Sequence, residues 1–240
     1  MSWTSSCGPA PKEFPFWSDI EPVSASPHRF VVIEGPIGVG KTSLARRLAQ
    51  SFGGQAVLEQ ADQNPFLERF YKNPRAAAFQ TQLFFLFQRA RQLEEVRQED
   101  LFGAVRVTDY LLEKDRLFAR VTLDDAEYAL YERVYERVVV DAPKPDLVVY
   151  LQAPVDVLMD RIAKRGIRYE QHIERSYLEK LAQAYARFFH GYDASPLLIV
   201  NSAAIDPVNN EADYRLLFAE ISKKRRGRHF FNPTSLLPVQ

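Results

Sequence analysis

Cysteine and histidine are scarce in this sequence. Cys7 is the only cysteine among the 240 residues, which excludes an internal disulfide and any cysteine-rich zinc site. The four histidines are scattered along the chain without the spacing of a metal-ligand motif. The use of a single cysteine fits a reducing compartment.

Excess charge of either sign is absent, and so are long apolar runs. The 31 Lys and Arg residues balance the 31 Asp and Glu residues. A general nucleic-acid binder or a protein that coats anionic membranes would have a basic excess, so we expect neither kind of partner. No apolar run approaches the length that crosses a bilayer, and the N-terminus lacks the apolar segment of a signal peptide. We therefore expect a cytoplasmic location.

The composition of the chain changes near residue 28. Residues 1–27 are rich in proline, serine and small residues, which is typical of an extended tail without a fold of its own. We predict that this segment is disordered and that residues 28–240 form a single domain. A chain of this length can bury a full hydrophobic core.

From Phe30 onward, short apolar runs alternate with amphipathic stretches. The runs are rich in β-branched and aromatic residues, as is typical of strands that are buried on both faces. We predict an α/β fold in which a five-stranded parallel sheet has helices on both faces. The predicted strands are Phe30–Glu34, Ala56–Glu59, Val105–Asp109, Leu147–Leu151 and Leu197–Val200. Ligands are then expected at the carboxyl ends of the strands.

The first predicted strand leads into a complete phosphate-loop motif. The segment GPIGVGKT matches G-x-x-x-x-G-K-[ST], and a predicted helix follows it. Its glycines allow backbone N–H groups to surround an anion, and the helix N-terminus adds partial positive charge. Lys41 is expected to reach the β- and γ-phosphates of ATP, and Thr42 to ligate Mg²⁺. The predicted nucleotide-binding residues are Gly35, Gly38, Val39, Gly40, Lys41, Thr42 and Ser43.

Two acidic residues end the predicted strands beside this loop. Glu59 ends the second strand, where its carboxylate would face the loop and accept a proton from an attacking hydroxyl group. An ordinary strand-end charge explains Glu59 equally well. Asp109 ends the third strand, a position from which acidic residues of P-loop enzymes hold Mg²⁺, usually through water.

A long helix predicted from about residue 74 to 98 supplies candidate residues for binding an acceptor. Gln82 and Arg89 are seven residues apart and therefore share one face of this helix, and Tyr71 shortly before it joins the same set. A glutamine amide both donates and accepts hydrogen bonds, so it can read the edge of a base. Gln80 lies about 200° round the helix from Gln82, so only one of the two can face the cleft.

A basic segment follows the fourth predicted strand. Arg161, Arg165 and Arg168 lie on either side of Gly166, in a predicted helix and the loop after it. Such a segment can fold over a triphosphate and neutralise charge in the transition state. A basic helix C-terminus that complements the helix dipole is an equally good interpretation.

Several longer segments of the chain occur together, in this order, in one known enzyme family. They are VIEGPIGVGKTS, the glutamate of AVLEQ, NPFLERFYKNP, AFQTQLFFLFQR, TDYLLEKDRLFA, RGIRYEQHI and LLIVNSAAIDPV. Between about Phe30 and Phe218 the chain resembles the deoxyribonucleoside kinases, specifically the bacterial deoxyadenosine/deoxyguanosine kinase-like members. The resemblance implies a P-loop kinase with a lid that transfers the γ-phosphoryl group of ATP to the 5′-hydroxyl of a deoxyribonucleoside in nucleotide salvage.

The resemblance also implies roles for residues on the acceptor side. Glu59 is similar to the general base of the family. Tyr71 and Glu170 are similar to the residues that bond the 3′-hydroxyl of the sugar. Gln82 lies at the family interval from Tyr71 and Arg89, which favours it over Gln80 as the residue that reads the base.

On the donor side, the resemblance implies a lid and a metal site. Arg161, Arg165 and Arg168 are similar to the lid arginines, and Asp109 to an acidic residue associated with Mg²⁺. Asp206 is similar to a residue of the loop that packs on the ATP adenine. ATP and Mg²⁺ are therefore the expected cofactors.

Two segments depart from the family pattern. Many members have Glu-Arg-Ser or Asp-Arg-Ser after the third strand, and this chain has Asp109-Tyr110, so the arginine that assists the base is missing from its usual position. Arg116 or a lid arginine is a candidate replacement. The residues after Glu59 are Gln-Ala-Asp where many relatives have Glu-Pro, which leaves the wall beside the sugar undefined.

The charged pair Arg89 and Asp115 bears on which base is preferred. It resembles the pair that handles exocyclic groups in members that prefer purines or deoxycytidine. We therefore expect deoxyadenosine, deoxyguanosine or deoxycytidine to be preferred over thymidine. Helices 74–98 and 124–138 could also form a dimer face, as in relatives, which makes a homodimer the expected assembly.

Other functions remain open from the sequence. A nucleoside monophosphate kinase such as thymidylate kinase would need cations for the acceptor phosphate, and Arg69, Lys72 and Arg75 lie nearby. A non-catalytic relative that serves as a structural subunit is disfavoured by the intact phosphate loop and acidic residues. A switch-type NTPase without a small acceptor is disfavoured by Tyr71, Gln82 and the other acceptor-side residues.

Overall fold

The computed structural model describes residues 26–99, 104–139 and 142–233. The predicted tail, residues 1–27, lies almost entirely outside these ranges. The rest of the predicted single domain is described apart from the two short gaps and the last seven residues.

A six-stranded parallel sheet forms the centre of the protein, with strand order β2-β3-β1-β4-β5-β6. Each neighbouring pair runs parallel. This arrangement confirms the α/β class. The strands are β1 (Phe30–Glu34), β2 (Gln55–Val57), β3 (Arg106–Thr108), β4 (Leu147–Gln152), β5 (Leu197–Asn201) and β6 (Arg228–Phe231).

Eight α-helices connect and cover the strands within the described ranges. They are α1 (Lys41–Ser51), α2 (Leu67–Lys72), α3 (Pro74–Glu99), α4 (Lys114–Thr122), α5 (Asp125–Val138), α6 (Val155–Arg165), α7 (Arg175–Gly191) and α8 (Glu211–Ile221). Two short 3₁₀-helices span Ala61–Gln63 and Arg168–His172. In this part of the chain, no helix combines the length and the apolar character needed to span a membrane.

Side chains that alternate along the strands build a separate core on each face of the sheet. Val31 and Ile33 point into a core shared with α1, α6 and α8. Phe30 and Val32 point into the other core, which is shared with α4 and α7. Because successive side chains of a strand point to opposite faces, the apolar runs seen in the sequence bury both faces at once.

The prediction of five strands was wrong by one. The sixth strand, β6, pairs with β5 at the edge of the sheet, and its residues are half-buried or exposed in alternation. Its sequence RHFF contains two polar residues among four. A short edge strand does not need the continuous apolar run of a central strand, so the pattern that identifies the other strands misses this one.

The second and third strands end earlier than predicted. Parallel pairing between them stops where Val57 meets Thr108. The prediction that Glu59 ends β2 was therefore wrong by two residues, and Asp109 is the first residue after β3. Here the Asp109 carboxylate accepts a hydrogen bond from the Glu59 backbone N–H at 2.7 Å, in place of a strand-to-strand bond.

Candidate active site

The phosphate loop between β1 and α1 is built from backbone that only glycine adopts readily. Gly35, Gly38 and Gly40 have φ angles of 148°, 84° and 104°. A Cβ atom on Gly35 would lie 2.5 Å from the Leu151 carbonyl oxygen, and one on Gly38 would lie 2.9 Å from the Leu158 carbonyl oxygen. The glycines are thus required both by conformation and by the close approach of β4 and α6.

Lys41 begins α1 and folds back over this loop. Its Nζ donates hydrogen bonds to the carbonyl oxygens of Gly35 at 2.8 Å and Pro36 at 3.2 Å. Burial and the nearby Lys114 ammonium lower the pKa of Lys41 to about 8, although three carboxylates partly oppose this change. The amine is therefore held where the phosphates of a nucleotide would lie, and an anion there would favour its charged form.

A cavity of about 400 Å³, the donor cavity, lies beside the phosphate loop. Val39, Gly40 and Ser43 line it together with Arg161 and Asp206. The Arg161 guanidinium donates to the carbonyl oxygens of Val39 at 3.2 Å and Ser202 at 2.8 Å, which ties α6 to the loop. The predicted donor-side residues from three distant segments thus meet at one cavity.

Asp206 shapes the loop on the far wall of this cavity. Its carboxylate accepts hydrogen bonds from the backbone N–H groups of Val208 at 3.2 Å and Asn209 at 3.1 Å. Burial raises the pKa of Asp206, but the bonds from Asn209 and Val208 outweigh burial and leave this pKa below its usual value. The carboxylate is therefore occupied in holding its own loop against the donor cavity.

Two hard oxygen donors meet at the edge of the phosphate loop. The Thr42 hydroxyl donates a hydrogen bond to Asp109 Oδ2 at 2.5 Å. Burial, with a contribution from the Glu59 charge, raises the pKa of Asp109. Within the described ranges, no group of three or more His, Cys, Asp or Glu side chains could hold a metal by itself. A hydroxyl and a carboxylate suit Mg²⁺, which keeps waters and shares its coordination with phosphate oxygens.

Glu59 lies between two basic side chains. Its Oε1 pairs with the Arg89 guanidinium, and its Oε2 lies 3.4 Å from Lys114 Nζ. Burial would raise the pKa of Glu59, but Arg89, Lys114 and Lys41 outweigh it and lower the pKa to about 2. The carboxylate is therefore ionised at neutral pH and able to accept a hydrogen bond from a hydroxyl group.

A second cavity, the acceptor cavity, lies between this carboxylate and the phosphate loop. Gln82 is buried in its wall, whereas Gln80 is exposed on the opposite side of α3. The free volume is about 120 Å³, which is smaller than the roughly 300–1,000 Å³ of typical ligand pockets. A ligand of ordinary size would therefore have to displace side chains that now pair inside it. The lining includes Lys41, Thr42, Glu59, Tyr71, Gln82 and Glu170.

Arg89 connects Glu59 to the interior of the protein. Its guanidinium also pairs with Asp115, which is fully buried and does not line the cavity. The guanidinium lies 4.8 Å from the ring centroid of Phe85, on the same helix. Because Asp115 lies behind Arg89, only the arginine of this predicted pair can touch a molecule in the cavity.

The predicted lid covers the other side of the cavity. Arg165, at the end of α6, pairs with the Glu170 carboxylate in the following 3₁₀-helix, and both line the cavity. The Tyr71 ring stacks on Tyr169 with their centroids 6.2 Å apart. Arg168 is exposed and does not line either cavity. Two of the three predicted lid arginines thus reach the site, and a role for Arg168 stays a prediction.

Comparison with known proteins identifies the family. The model of the deoxynucleoside kinase family matches residues 31–224, which include the phosphate loop and the lid. This chain belongs to the deoxynucleoside kinase family. It is therefore a deoxynucleoside kinase, a phosphotransferase.

Individual members of the family are similar along most of this kinase. It is 37% identical over 199 residues to the deoxyguanosine kinase of Bacillus subtilis (strain 168), which covers 81% of this chain and 96% of that one. It is 31% identical to the deoxyadenosine kinase of Lactobacillus acidophilus, with 82% and 96% covered. The structure of a deoxyadenosine kinase from M. mycoides with bound dATP matches with a TM-score of 0.71 at 26% identity, covering 82% of this chain and all of that one.

Two site residues of this deoxynucleoside kinase were missed by reasoning from the sequence. Lys114, at the start of α4, lines the acceptor cavity and is only 3% exposed. Glu34, the last residue of β1, is fully buried and accepts hydrogen bonds from Gly35 N–H and the Tyr185 hydroxyl. The position of Lys114 just before Asp115 was the available signal, and nothing local distinguished Glu34 from a strand-end charge.

The suggestion that Arg116 replaces the missing arginine is corrected by the structure of the kinase. Arg116 pairs with Glu132 of α5 at 2.9 Å, and its guanidinium lies 4.3 Å from the ring centroid of Tyr135. It does not line the acceptor cavity. Residues two apart on a helix point in different directions, so the face of α4 that presents Lys114 to Glu59 turns Arg116 towards α5.

Proposed function

We propose that this kinase transfers the γ-phosphoryl group of ATP to the 5′-hydroxyl of a deoxyribonucleoside, with Glu59 as the general base. One observation carries the proposal: the ionised Glu59 carboxylate and the phosphate-loop residues Lys41 and Thr42 line the same cavity. A nucleoside hydroxyl between them would touch the base on one side and face the triphosphate on the other. General bases and in-line phosphoryl transfer require this arrangement.

The reaction in this site is an in-line displacement at phosphorus. The 5′-oxygen of the nucleoside forms a bond to the γ-phosphorus while the bond to the β,γ-bridging oxygen breaks. The electron pair of that bond leaves with ADP, and the hydroxyl proton passes to Glu59 Oε2 or Oε1. The products are a deoxyribonucleoside 5′-monophosphate and ADP, and Glu59 then returns its proton to solvent.

Residues of the loop and lid hold and neutralise the triphosphate. Lys41 would exchange its bonds to loop carbonyl oxygens for bonds to the β- and γ-phosphates, and Arg161 and Arg165 would add positive charge from the lid. The loop around Asp206 would pack on the adenine. Thr42 and Asp109 would hold Mg²⁺, which when bound withdraws charge from the phosphate oxygens.

The sugar and base would occupy the small cavity after a rearrangement of its ion pairs. Tyr71 and Glu170 would bond the 3′-hydroxyl, and Gln82 would read the base edge. The Arg165–Glu170 pair would have to open to admit the nucleoside, after which Arg165 is free to turn towards the triphosphate. Closure of the lid would then exclude water and suppress hydrolysis of ATP.

We further propose that deoxyadenosine, deoxyguanosine or deoxycytidine is preferred over thymidine. Arg89 is the only member of the Arg89–Asp115 pair that can reach a base, and its guanidinium suits acceptor atoms such as N7 and O6 of guanine. Thymine O4 is an acceptor as well, so the preference rests on the relatives and not on Arg89. Two similar proteins, a deoxyguanosine kinase and a deoxyadenosine kinase, support purine acceptors.

The test is a steady-state panel of the four deoxyribonucleosides with ATP and Mg²⁺. The expected result is a kcat/KM for one of the three preferred acceptors at least about tenfold above that for thymidine. Thymidine as the best acceptor would contradict the base preference. Faster turnover of a nucleoside monophosphate would contradict the acceptor class; the cations that such an acceptor would need, Arg69, Lys72 and Arg75, are exposed and lie outside the cavity.

We also propose that this kinase is cytoplasmic and that it forms a homodimer. Phe87 on α3 and Leu130 on α5 are 53% and 50% exposed, and these two helices pack against each other. Exposed large apolar side chains on neighbouring helices favour an interface at this face. Phe87→Glu combined with Leu130→Glu should convert a dimer to a monomer in light scattering, and an unchanged mass would place the interface elsewhere.

A further inference from the structure

Lys114 occupies a position between the proposed base and the floor of the phosphate loop. Its Nζ lies 3.4 Å from Glu59 Oε2 and 3.9 Å from Glu34 Oε2. The side chain is 4% exposed. An ammonium group buried this deeply costs free energy unless carboxylates compensate it, so the two contacts explain why a lysine is tolerated here.

Glu34 is a rigid anchor for this ammonium group. Its Oε1 accepts hydrogen bonds from Gly35 N–H at 2.8 Å and from the Tyr185 hydroxyl at 2.9 Å, and its Oε2 accepts one from Leu111 N–H at 2.7 Å. These donors belong to the phosphate loop, α7 and the turn before α4. A carboxylate held from three directions cannot follow a moving lysine, so its charge attracts Lys114 Nζ from a fixed position 3.9 Å away.

The two oxygens of Glu59 are held by different cations. Arg89 contacts Oε1 and is itself tied to Asp115. Lys114 contacts Oε2 and is tied to Glu34. The Glu59 carboxylate therefore lies between two anchors: Arg89 on the side of α3, and Lys114 on the side of the phosphate loop. Removal of the loop-side contact would leave it attached only to Arg89, away from the triphosphate.

Apart from Arg89 and Lys114, the cations that line the cavity in the described part of the chain are engaged elsewhere, and Arg165 pairs with Glu170. Lys41 already donates to two loop carbonyl oxygens, and the position after Asp109 holds Tyr110, a buried aromatic residue. Asp109 touches Glu59 only through the backbone N–H. Among the residues lining the cavity, Lys114 is the one cation that contacts Glu59 from the side of the loop.

We propose that Lys114 is a positioning residue for phosphoryl transfer: it holds the Glu59 carboxylate towards the phosphate loop, the task for which this chain lacks an arginine at position 110. The inference rests on the proposed role of Glu59 as the base. Lys114 itself transfers no proton. It sets the distance between the Glu59 carboxylate and the attacking hydroxyl group. Displacement of this carboxylate by about 1 Å can lower the rate roughly 10²-fold.

A double-mutant cycle between Lys114→Met and Glu59→Gln tests this proposal. Methionine has nearly the length of lysine without its charge. We expect Lys114→Met to lower kcat by about 10²-fold, with the dissociation constant of deoxyadenosine changed by less than about fivefold. In the Glu59→Gln background the same substitution should cost less than about threefold, because residues that act as a unit are not additive.

Arg116→Met is the matched control, since it removes a cation from the same helix, outside the cavity. We expect its kcat to stay within about twofold of the parent, as for a surface substitution. Thermal unfolding of every variant measures whether it is folded. If Lys114→Met does not fold, Lys114→Gln, which is polar but shorter than lysine and uncharged, replaces it in the same cycle.

The outcomes separate the positioning role from the proposed function. An equal loss of kcat in both backgrounds would overturn the inference, because Lys114 would then act independently of Glu59. A normal kcat for Lys114→Met would overturn it as well. Near-normal turnover of Glu59→Gln by itself would instead remove the base, and the proposed mechanism with it, whatever Lys114 does.

Discussion

The donor half and the acceptor half of the active site are built by different means. The phosphate loop of the donor half is continuous in sequence, Gly35–Ser43, and its shape comes from backbone with positive φ angles. The acceptor half comes from side chains of the loop after β2, of α2, α3 and α4, and of the lid, spread between Glu59 and Glu170. Charged groups pair with one another there, as Glu59 with Arg89 and Arg165 with Glu170.

This contrast indicates how each half responds to its ligand. Backbone conformation needs no charged partner, so the phosphate loop has its shape before a nucleotide binds. The ion pairs of the acceptor half satisfy one another in a cavity of about 120 Å³, so they must exchange partners when a nucleoside enters. A buried charge that loses its partner is strongly unfavourable, so the proposed entry of a nucleoside would require the lid to rearrange.

The largest effect is expected from the acceptor half. Glu59→Gln should lower kcat by about 10²–10⁴-fold, because the general base is lost, while deoxyadenosine affinity changes much less. Steady-state kinetics and a binding titration measure the two quantities. Glu68→Gln removes an exposed carboxylate of α2 and serves as the control, with turnover expected to be unchanged. Turnover of Glu59→Gln close to that of the parent would show that the base lies elsewhere.

The donor half should respond to a backbone change. In Gly38→Ala, the φ angle of 84° and a Cβ atom 2.9 Å from the Leu158 carbonyl oxygen strain the loop. Strain of about 1–3 kcal/mol corresponds to an ATP affinity lowered by roughly five- to a hundredfold, with nucleoside affinity retained.

Gly53→Ala is the control for Gly38→Ala. Gly53 also has a positive φ angle, of 61°, but an added Cβ atom meets nothing within 4 Å. This variant should lose about 1 kcal/mol of stability and keep its ATP affinity. If Gly38→Ala weakened nucleoside binding as much as ATP binding, the two halves would not be separable.

A pH titration distinguishes the halves by their charged groups. Lys41 has a pKa of about 8 and loses its proton as the pH rises, whereas Glu59, with a pKa of about 2, stays ionised throughout. ATP affinity should fall by up to about tenfold between pH 7 and pH 9, because a neutral amine does not attract a triphosphate. Lys41→Arg, which stays charged, should give a flat profile. A parent enzyme whose ATP affinity is flat over this range would contradict the assignment.

The smallest effect is expected on the KM for the nucleoside, when either of two glutamines of α3 is replaced. Gln82→Ala should raise the KM for deoxyadenosine by about two- to tenfold, the equivalent of one hydrogen bond, and leave the KM for ATP unchanged. Gln80→Ala, two positions away and exposed, should change neither constant. A larger effect of Gln80→Ala would show that the base lies against a different face of α3.

Much of the fold was predictable because its signals are local. The buried strands are continuous apolar runs, and their bounds agree with the prediction to within two residues at β1, β4 and β5. β6 was missed because a half-exposed edge strand lacks such a run. The ends of β2 and β3 were misplaced because a side chain–backbone bond between Asp109 and Glu59 replaces the ladder there.

In the candidate site, too, the features with local signals were predictable and those that depend on packing were not. The phosphate loop could be assigned from eight consecutive residues, since glycine conformation and the following helix are properties of neighbours in the chain. Helical periodicity predicted that only one of Gln80 and Gln82 faces the cleft, and the resemblance to the family favoured Gln82. The replacement for the missing arginine did not follow, because Lys114 and Arg116 are both basic and only two residues apart, and the packing of α4 decides which one reaches Glu59.

The sequence by itself determined the α/β architecture, the anion-binding loop and the family of this kinase, because these depend on the order of residues along the chain. Only the tertiary structure decided which charges meet. Glu59 pairs with cations 30 and 55 positions away, and Glu34 bonds a tyrosine 151 positions away. Such contacts arise from the packing of whole helices against the sheet, and no local pattern of residues encodes them.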